Sequence, residues 1–301
     1  MTYRRKIDLA LEAKELAEAS AGELSPLPGV KAEESTLFGF PLTRVDILTP
    51  EGEAALGKPV GTYLTLTLPH LPREREEILE AARGVAAMLE QLGTLPETGP
   101  VLVAGLGNRS ITPDALGPKT TDSLLVTRHL TRTTEPSLSG LRPVAALAAG
   151  VAGTTGMESG EVLAGVVKTI QPVCLVAVDA LAARQQERVC RTIQVSNRGI
   201  VPGSGVGNAR LALDRDTLGI PVIAIGIPTV VDAATLCMDL LEAGGIQDFD
   251  LSVFRREGAE WFVTPRSIDS EVQLLSRVLG LGISTALHVD FSVEDVEKWI
   301  S

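Results

Sequence analysis

Three runs in this chain, VLVAGLG from Val101, VCLVAVD from Val173 and VIAIGI from Val222, are apolar at nearly every position. A strand with one wet face alternates apolar and polar residues, so runs that do not alternate are strands buried on both faces. Helical patterns follow them, around Ser159 to Ile170 and in ATLCMDLLEAG after the third run. This alternation of buried strand and helix predicts a three-layer α/β/α sandwich around a mostly parallel sheet. With 301 residues, 45% of them hydrophobic, the chain can bury such a core.

The flanking segments extend the reading. GTYLTLTLPHL from Gly61 has the period of a strand with one drier face. REREEILEAARGVAAMLEQLG reads as a helix with acidic residues in its first turn and a glycine stop. Further helices are predicted near LGPKTTDSLLVTRHL and LAARQQERVCRTI, and EVQLLSRVLGLGISTAL reads as a docking helix with His288 and Trp299 beyond it. Leu9, Leu11, Ala13, Leu16 and Ala17 share one helical face that breaks at Gly22, Pro26 and Pro28. Residues 1–40 are therefore expected to form a tethered arm, and 41–301 a single α/β/α domain.

Charge and motifs narrow the function. A net charge of −11 argues against direct nucleic-acid binding, which needs a concentrated basic surface. It suits either a basic partner or ordinary solubility. The apolar runs fall short of the roughly 20 residues of a membrane span, and the N-terminal MTYRRKIDLALEAK lacks the apolar stretch of a signal peptide. A cytoplasmic protein without membrane contact is expected. Cys174, Cys190 and Cys237 cannot all pair within one chain and are read as reduced thiols. His70, His129 and His288 lack ligand spacing, so no metal is expected. GLGNRS has Ser110 where a dinucleotide fingerprint needs its third glycine, and no cofactor is expected. GSGVGN, with Gly203, Gly205 and Gly207, is either a tight structural loop or a cradle of N–H groups for an anion.

Two carboxylates remain. Asp114 follows the first buried run and Asp179 closes the second. Open α/β sheets build their sites beyond the carboxyl ends of parallel strands. A lone aspartate there is commonly a helix cap. Two that approach each other cannot both ionise cheaply, so one keeps a proton and serves as acid while the other activates water. That pairing suits peptide hydrolysis. A catalytically silent module that holds an anion or a protein is the alternative from another class.

GLGNRSITPDALGPK, DSLLVTRHL, TTGMESGE, AVDALAARQQERVCRTIQVSNRGIVPGSGVGNAR and LGIPVIAIGIPTVVDAATL together resemble the germination protease family of spore-forming bacteria. The resemblance implies an aspartic-type endopeptidase, made as a zymogen, that degrades small acid-soluble spore proteins in the spore core. It also implies a fold like that of hydrogenase-maturation proteases and a homotetramer. Asp114 stands at the family's TPDALGP aspartate and Asp179 at that of DALAAR, so the resemblance implies that they are the catalytic pair. Asn108 and Glu158 stand in family-like segments, either as supporting residues of the site or as residues that order loops by side-chain hydrogen bonds. The metal-dependent maturation proteases, which use two carboxylates and a histidine, are a second hydrolase reading. RKIDLALEA resembles the segment at which family zymogens are processed, so Ile7, Asp8, Leu9, Ala10 and Leu11 are the expected self-processing segment. Six residues precede Ile7, which implies a very short propeptide.

Overall fold

A computed structural model of the chain describes residues 7–21, 27–130, 141–203, 211–246 and 261–300. The elements are α1 (Ala10–Ala21), β1 (Val30–Leu37), β2 (Phe40–Ile47), α2 (Pro50–Leu56), β3 (Gly61–Thr67), α3 (Arg75–Gln91), β4 (Val101–Gly105) and α4 (Leu116–Asp122). There follow β5 (Val144–Ala148), α5 (Ala152–Thr155), α6 (Ser159–Ile170), β6 (Cys174–Ala183), β7 (Thr192–Ser196), α7 (Arg215–Leu218) and β8 (Val222–Asp232). The last are α8 (Ala233–Ala243), β9 (Phe262–Val263), α9 (Ile268–Leu287) and α10 (Val293–Ile300).

The nine strands of the described residues form one sheet in the order β1-β2-β3-β7-β8-β6-β4-β5, with β9 beside β8. Strands β8, β6, β4 and β5 run parallel. The rest pair antiparallel. Side chains of β4 show how the layers arise: Val101 and Val103 turn to one face, with α3 and α9, while Leu102 and Ala104 turn to the other, against Leu163 and Val167 of α6. Both faces are covered, so every β4 residue is buried, as its unbroken apolar run requires. Ala10 and Ala13 of α1 cover the antiparallel half with Leu56, Val45 and Tyr63. The expected α/β/α sandwich is what forms, and its parallel part is the stretch that the apolar runs marked.

Two local differences have physical causes. The helix expected near LAARQQERVCRTI does not form. Residues Leu181 to Ala183 instead continue β6, a short 3-10 turn spans Gln186–Arg188, and Thr192–Ser196 make β7. Pairing with β8, which reaches Val231 opposite Ala183, outweighs the helix preference of the alanines. Within residues 1–40, β1 is part of the sheet and pairs with β2 along its length. It is mostly exposed, so no burial period marks it in the sequence. Gly205 and Gly207 of the glycine-rich loop lie outside the described residues.

The N-terminal segment is bound to the rest of the molecule by its backbone. The Asp8 N–H donates to the Ala182 carbonyl at 3.1 Å, and the Ala10 N–H to the Gln194 side chain at 2.7 Å. Leu9 and Ala10 are fully buried. Glu12 is also buried and accepts from the N–H groups of Arg184 (2.7 Å) and Gln185 (2.9 Å), with Arg188 at 3.6 Å. Burial pushes the Glu12 carboxyl up to about 7, against the pull of those donors and of Arg188 and with a smaller push from Glu15.

A raised folded-state value means that folding takes up a proton. The contribution of Glu12 to holding the arm is complete below about pH 4.5 and is lost as pH rises through about 7. At ~1.4 kcal/mol per unit this is on the order of 3 kcal/mol. We expect amides of α1 to open more readily at pH 8 than at pH 5.5 in hydrogen exchange corrected for intrinsic rates. Glu12→Gln should flatten that difference, and an equal pH dependence in the variant would show that Glu12 is not its source.

Candidate active site

Strand β4 ends at Gly105, paired with Val178 of β6, and the Leu106 N–H still donates to the Val178 carbonyl at 2.8 Å. Asp179 is the next residue. On its other side it is paired with Gly226 of β8, and that pairing carries β6 on through Ala183, with a register shift between Leu181 and Ala182 where Thr229 of β8 is passed over. Asp179 therefore stands within a strand, at the height where its neighbour β4 has stopped. It is 6% exposed, and its Oδ1 accepts from the Ala180 N–H at 2.9 Å.

Asp114 reaches the same place by a different route. After β4 the chain turns at Gly107, whose φ of +103° is a conformation that side chains disfavour. The turn lets the Asn108 N–H donate to Asp114 Oδ2 at 2.7 Å. A 3-10 turn, Thr112–Asp114, carries the aspartate. Thr229 of β8 fixes that turn by donating from Oγ1 to the Pro113 carbonyl at 2.6 Å, and Thr112 donates to Asp269 of α9 at 2.7 Å. Behind it, Gly117 lets α4 press on the strand ends, since a Cβ there would lie 2.4 Å from the carbonyl oxygens of both Leu106 and Val178.

Asp114 and Asp179 line one cavity of 320 Å³. Its walls include Ile111, Pro113, Leu181, Val201, Val230 and Phe262, and a third carboxylate, Asp8 of the arm, borders it. Apolar walls around carboxylates strengthen electrostatic effects there. Each aspartate keeps a backbone N–H as partner, which orients its carboxyl group.

Other residues, among them Asn108, Glu158, Gly203 and His288 of the sequence reading, stand elsewhere or act otherwise. Asn108 serves Asp114 through its backbone, while its side chain accepts from the Ser110 N–H at 3.0 Å. Glu158 opens α6, its N–H donating to Glu161 at 3.0 Å, and does not line the cavity. Asp232 caps α8 through Thr235, and Arg184 pairs with Asp239. Arg109 spans Asp122 and the Pro118 carbonyl, which ties the loop after β4 to α4. Gly203 lines the cavity. His288 is buried at the end of α9, with Nε2 3.5 Å from the Leu125 carbonyl. It is not among the cavity residues, so the set of two carboxylates and an imidazole is not assembled there. Among the described residues no His, Cys, Asp and Glu side chains are grouped to hold a metal ion. Thr229 was not singled out in the sequence, although a threonine in the midst of an apolar run was a signal.

The family model described as germination protease matches residues 10–244, and the chain belongs to that family. It is similar to the germination protease of Clostridium perfringens, at 39% identity over 99% of this chain and 100% of the relative. That of Caldanaerobacter subterraneus subsp. tengcongensis is 47% identical over 79% of this chain and 72% of the relative. For Priestia megaterium the figures are 45%, 86% and 70%. A solved structure, the NiFe hydrogenase maturation protease HycI from Thermococcus kodakarensis KOD1, aligns with a TM-score of 0.36 at 16% identity, over 66% of this chain and 98% of that one. Family membership makes the chain a peptidase of spore germination. Among the described residues no helix is long and apolar enough to cross a membrane.

A Cβ at Gly107 would lie 2.1 Å from the Asp114 carbonyl oxygen and 2.8 Å from its Oδ1. We expect Gly107→Ala to cost about 1–3 kcal/mol in chemical denaturation and to impair peptidase activity. Gly165 of α6 meets nothing within 4 Å, and Gly165→Ala should stabilise by about 0.5–1 kcal/mol with activity retained.

Proposed function

We propose that this chain is an aspartic-type endopeptidase that hydrolyses small acid-soluble spore proteins during germination, with Asp114 and Asp179 as its catalytic pair. The observation that carries this reading is their meeting in one apolar-walled cavity although they come from separate segments of chain. The mechanism requires one carboxyl to keep its proton while the other is ionised. The ionised partner takes a proton from water as the water oxygen adds to the peptide carbonyl carbon. The protonated partner gives its proton to the amide nitrogen as the C–N bond breaks. No metal enters these steps. Asn108 and Thr229 are positioning residues that set the Asp114 turn.

The arm supports a zymogen reading. Asp8 borders the cavity of the catalytic pair, so the segment Ile7–Leu11 lies beside the chemistry that would cut it. The same reading puts the enzyme in the spore core as a homotetramer.

Asp114→Asn and Asp179→Asn should each reduce digestion of a purified small acid-soluble spore protein by at least about a hundredfold, the scale of a lost general acid or base. Full digestion by either variant would refute the pair. A chelator should leave the rate of the parent unchanged. Mass spectrometry of the parent held at mildly acidic pH should show loss of an N-terminal peptide ending between Ile7 and Leu11, and neither variant should release it.

A further inference from the structure

Beyond Val178, β6 has β8 on one side and no β4 on the other. Residues 178, 180 and 182 turn their backbone groups toward that open edge, because N–H and C=O directions alternate along a strand. Val178 spends its carbonyl there on Leu106. Ala180 follows, and its N–H meets the Asp179 carboxylate at 2.9 Å, which places a catalytic oxygen on the edge itself. At Ala182 the edge is taken by the arm: the carbonyl accepts from the Asp8 N–H at 3.1 Å, and the N–H donates to Asp8 Oδ2 at 2.8 Å. Ala180, Leu181 and Ala182 all line the cavity that holds both aspartates.

We propose that this open edge of β6 is the rail for an extended substrate backbone, with Ala180 and Ala182 as its rungs, and that Asp8 competes with substrate for the Ala182 rung. An extended chain laid along an exposed strand edge gains main-chain hydrogen bonds without regard to its side chains. A peptide bond at the Ala180 rung would stand against Asp179, so strand addition and chemistry share one register. The occupant fitted by this edge is an unfolded polypeptide, since a folded one cannot offer free backbone. The chain's own residue 8 already demonstrates the edge's capacity to take a rung from another segment. Occupancy by Asp8 reduces the fraction of molecules open to substrate and so raises apparent KM. This inference rests on the peptidase reading for its substrate, but not for the docking edge.

The test uses the full chain, confirmed by mass to retain its N-terminal segment throughout the assay, and a synthetic extended peptide derived from a small acid-soluble spore protein. Asp8→Ala removes the carboxylate from the Ala182 N–H, and KM for the peptide should fall about fivefold, the scale of one charge-assisted hydrogen bond. An unchanged or higher KM would overturn the competition. Hydrogen exchange provides a measurement independent of turnover. In the double variant Asp8→Ala, Asp114→Asn, residues 180–183 should exchange faster than in Asp114→Asn alone, and saturating peptide should restore their protection. Peptide cleaved by the parent with no protection at residues 180–183 would overturn the rail and leave the peptidase reading intact. Protection there without cleavage by the parent would keep the rail and defeat the peptidase reading. Should Asp8→Ala fail to fold, peptide-induced protection of residues 180–183 in Asp114→Asn alone decides the docking edge.

Discussion

The unequal length of two neighbouring strands governs the site. Strand β4 has five residues and β6 has ten. They are in register where both exist, so the surplus of β6 projects past β4 while β8 supports it from the other side. A carboxylate in that surplus is held as firmly as any strand residue, yet it borders open space. Neither property alone would suffice. A loop aspartate would lack rigidity, and one deeper in the parallel core would have no room for a ligand.

The second aspartate depends on how tightly the chain can be folded back over the stump of β4. Glycines at positions 107 and 117 supply the turn and the close contact. Thr229 then ties the Asp114 turn to β8, the same strand that holds β6 in place. Both carboxylates are thus referred to β8, and their relative position is less exposed to motion of the outer helices. The arm completes the wall through Asp8, secured by its backbone and by a buried glutamate four residues on.

Much of this was legible in the sequence. Unbroken apolar runs located β4, β6 and β8, and the α6 limits of Ser159 and Ile170 coincide with the expected ones. Asp114 and Asp179 drew attention because each follows such a run. The far half of β6 escaped because ALAA favours helix locally, and only pairing with β8 reverses that preference. Strand β7 was hidden for the same reason, its first two residues, Thr192 and Ile193, being read as the tail of a helix. Strand β1 lacked a burial signal because most of it faces solvent. The contact of Asp8 with Ala182, 174 residues apart, has no trace in local periodicity.

The outermost strand gives the sheet a last property. Lys31, Glu33 and Glu34 crowd β1, with the lysine ammonium and Glu33 carboxylate 2.6 Å apart. Charged side chains on a border strand discourage a stray chain from joining it. The interior border beside Asp179 is built of alanine and leucine and offers no such repulsion. At the β1 border a loose polypeptide therefore meets charge, which discourages the pairing that leads to clumping, whereas the border beside Asp179 raises no such barrier.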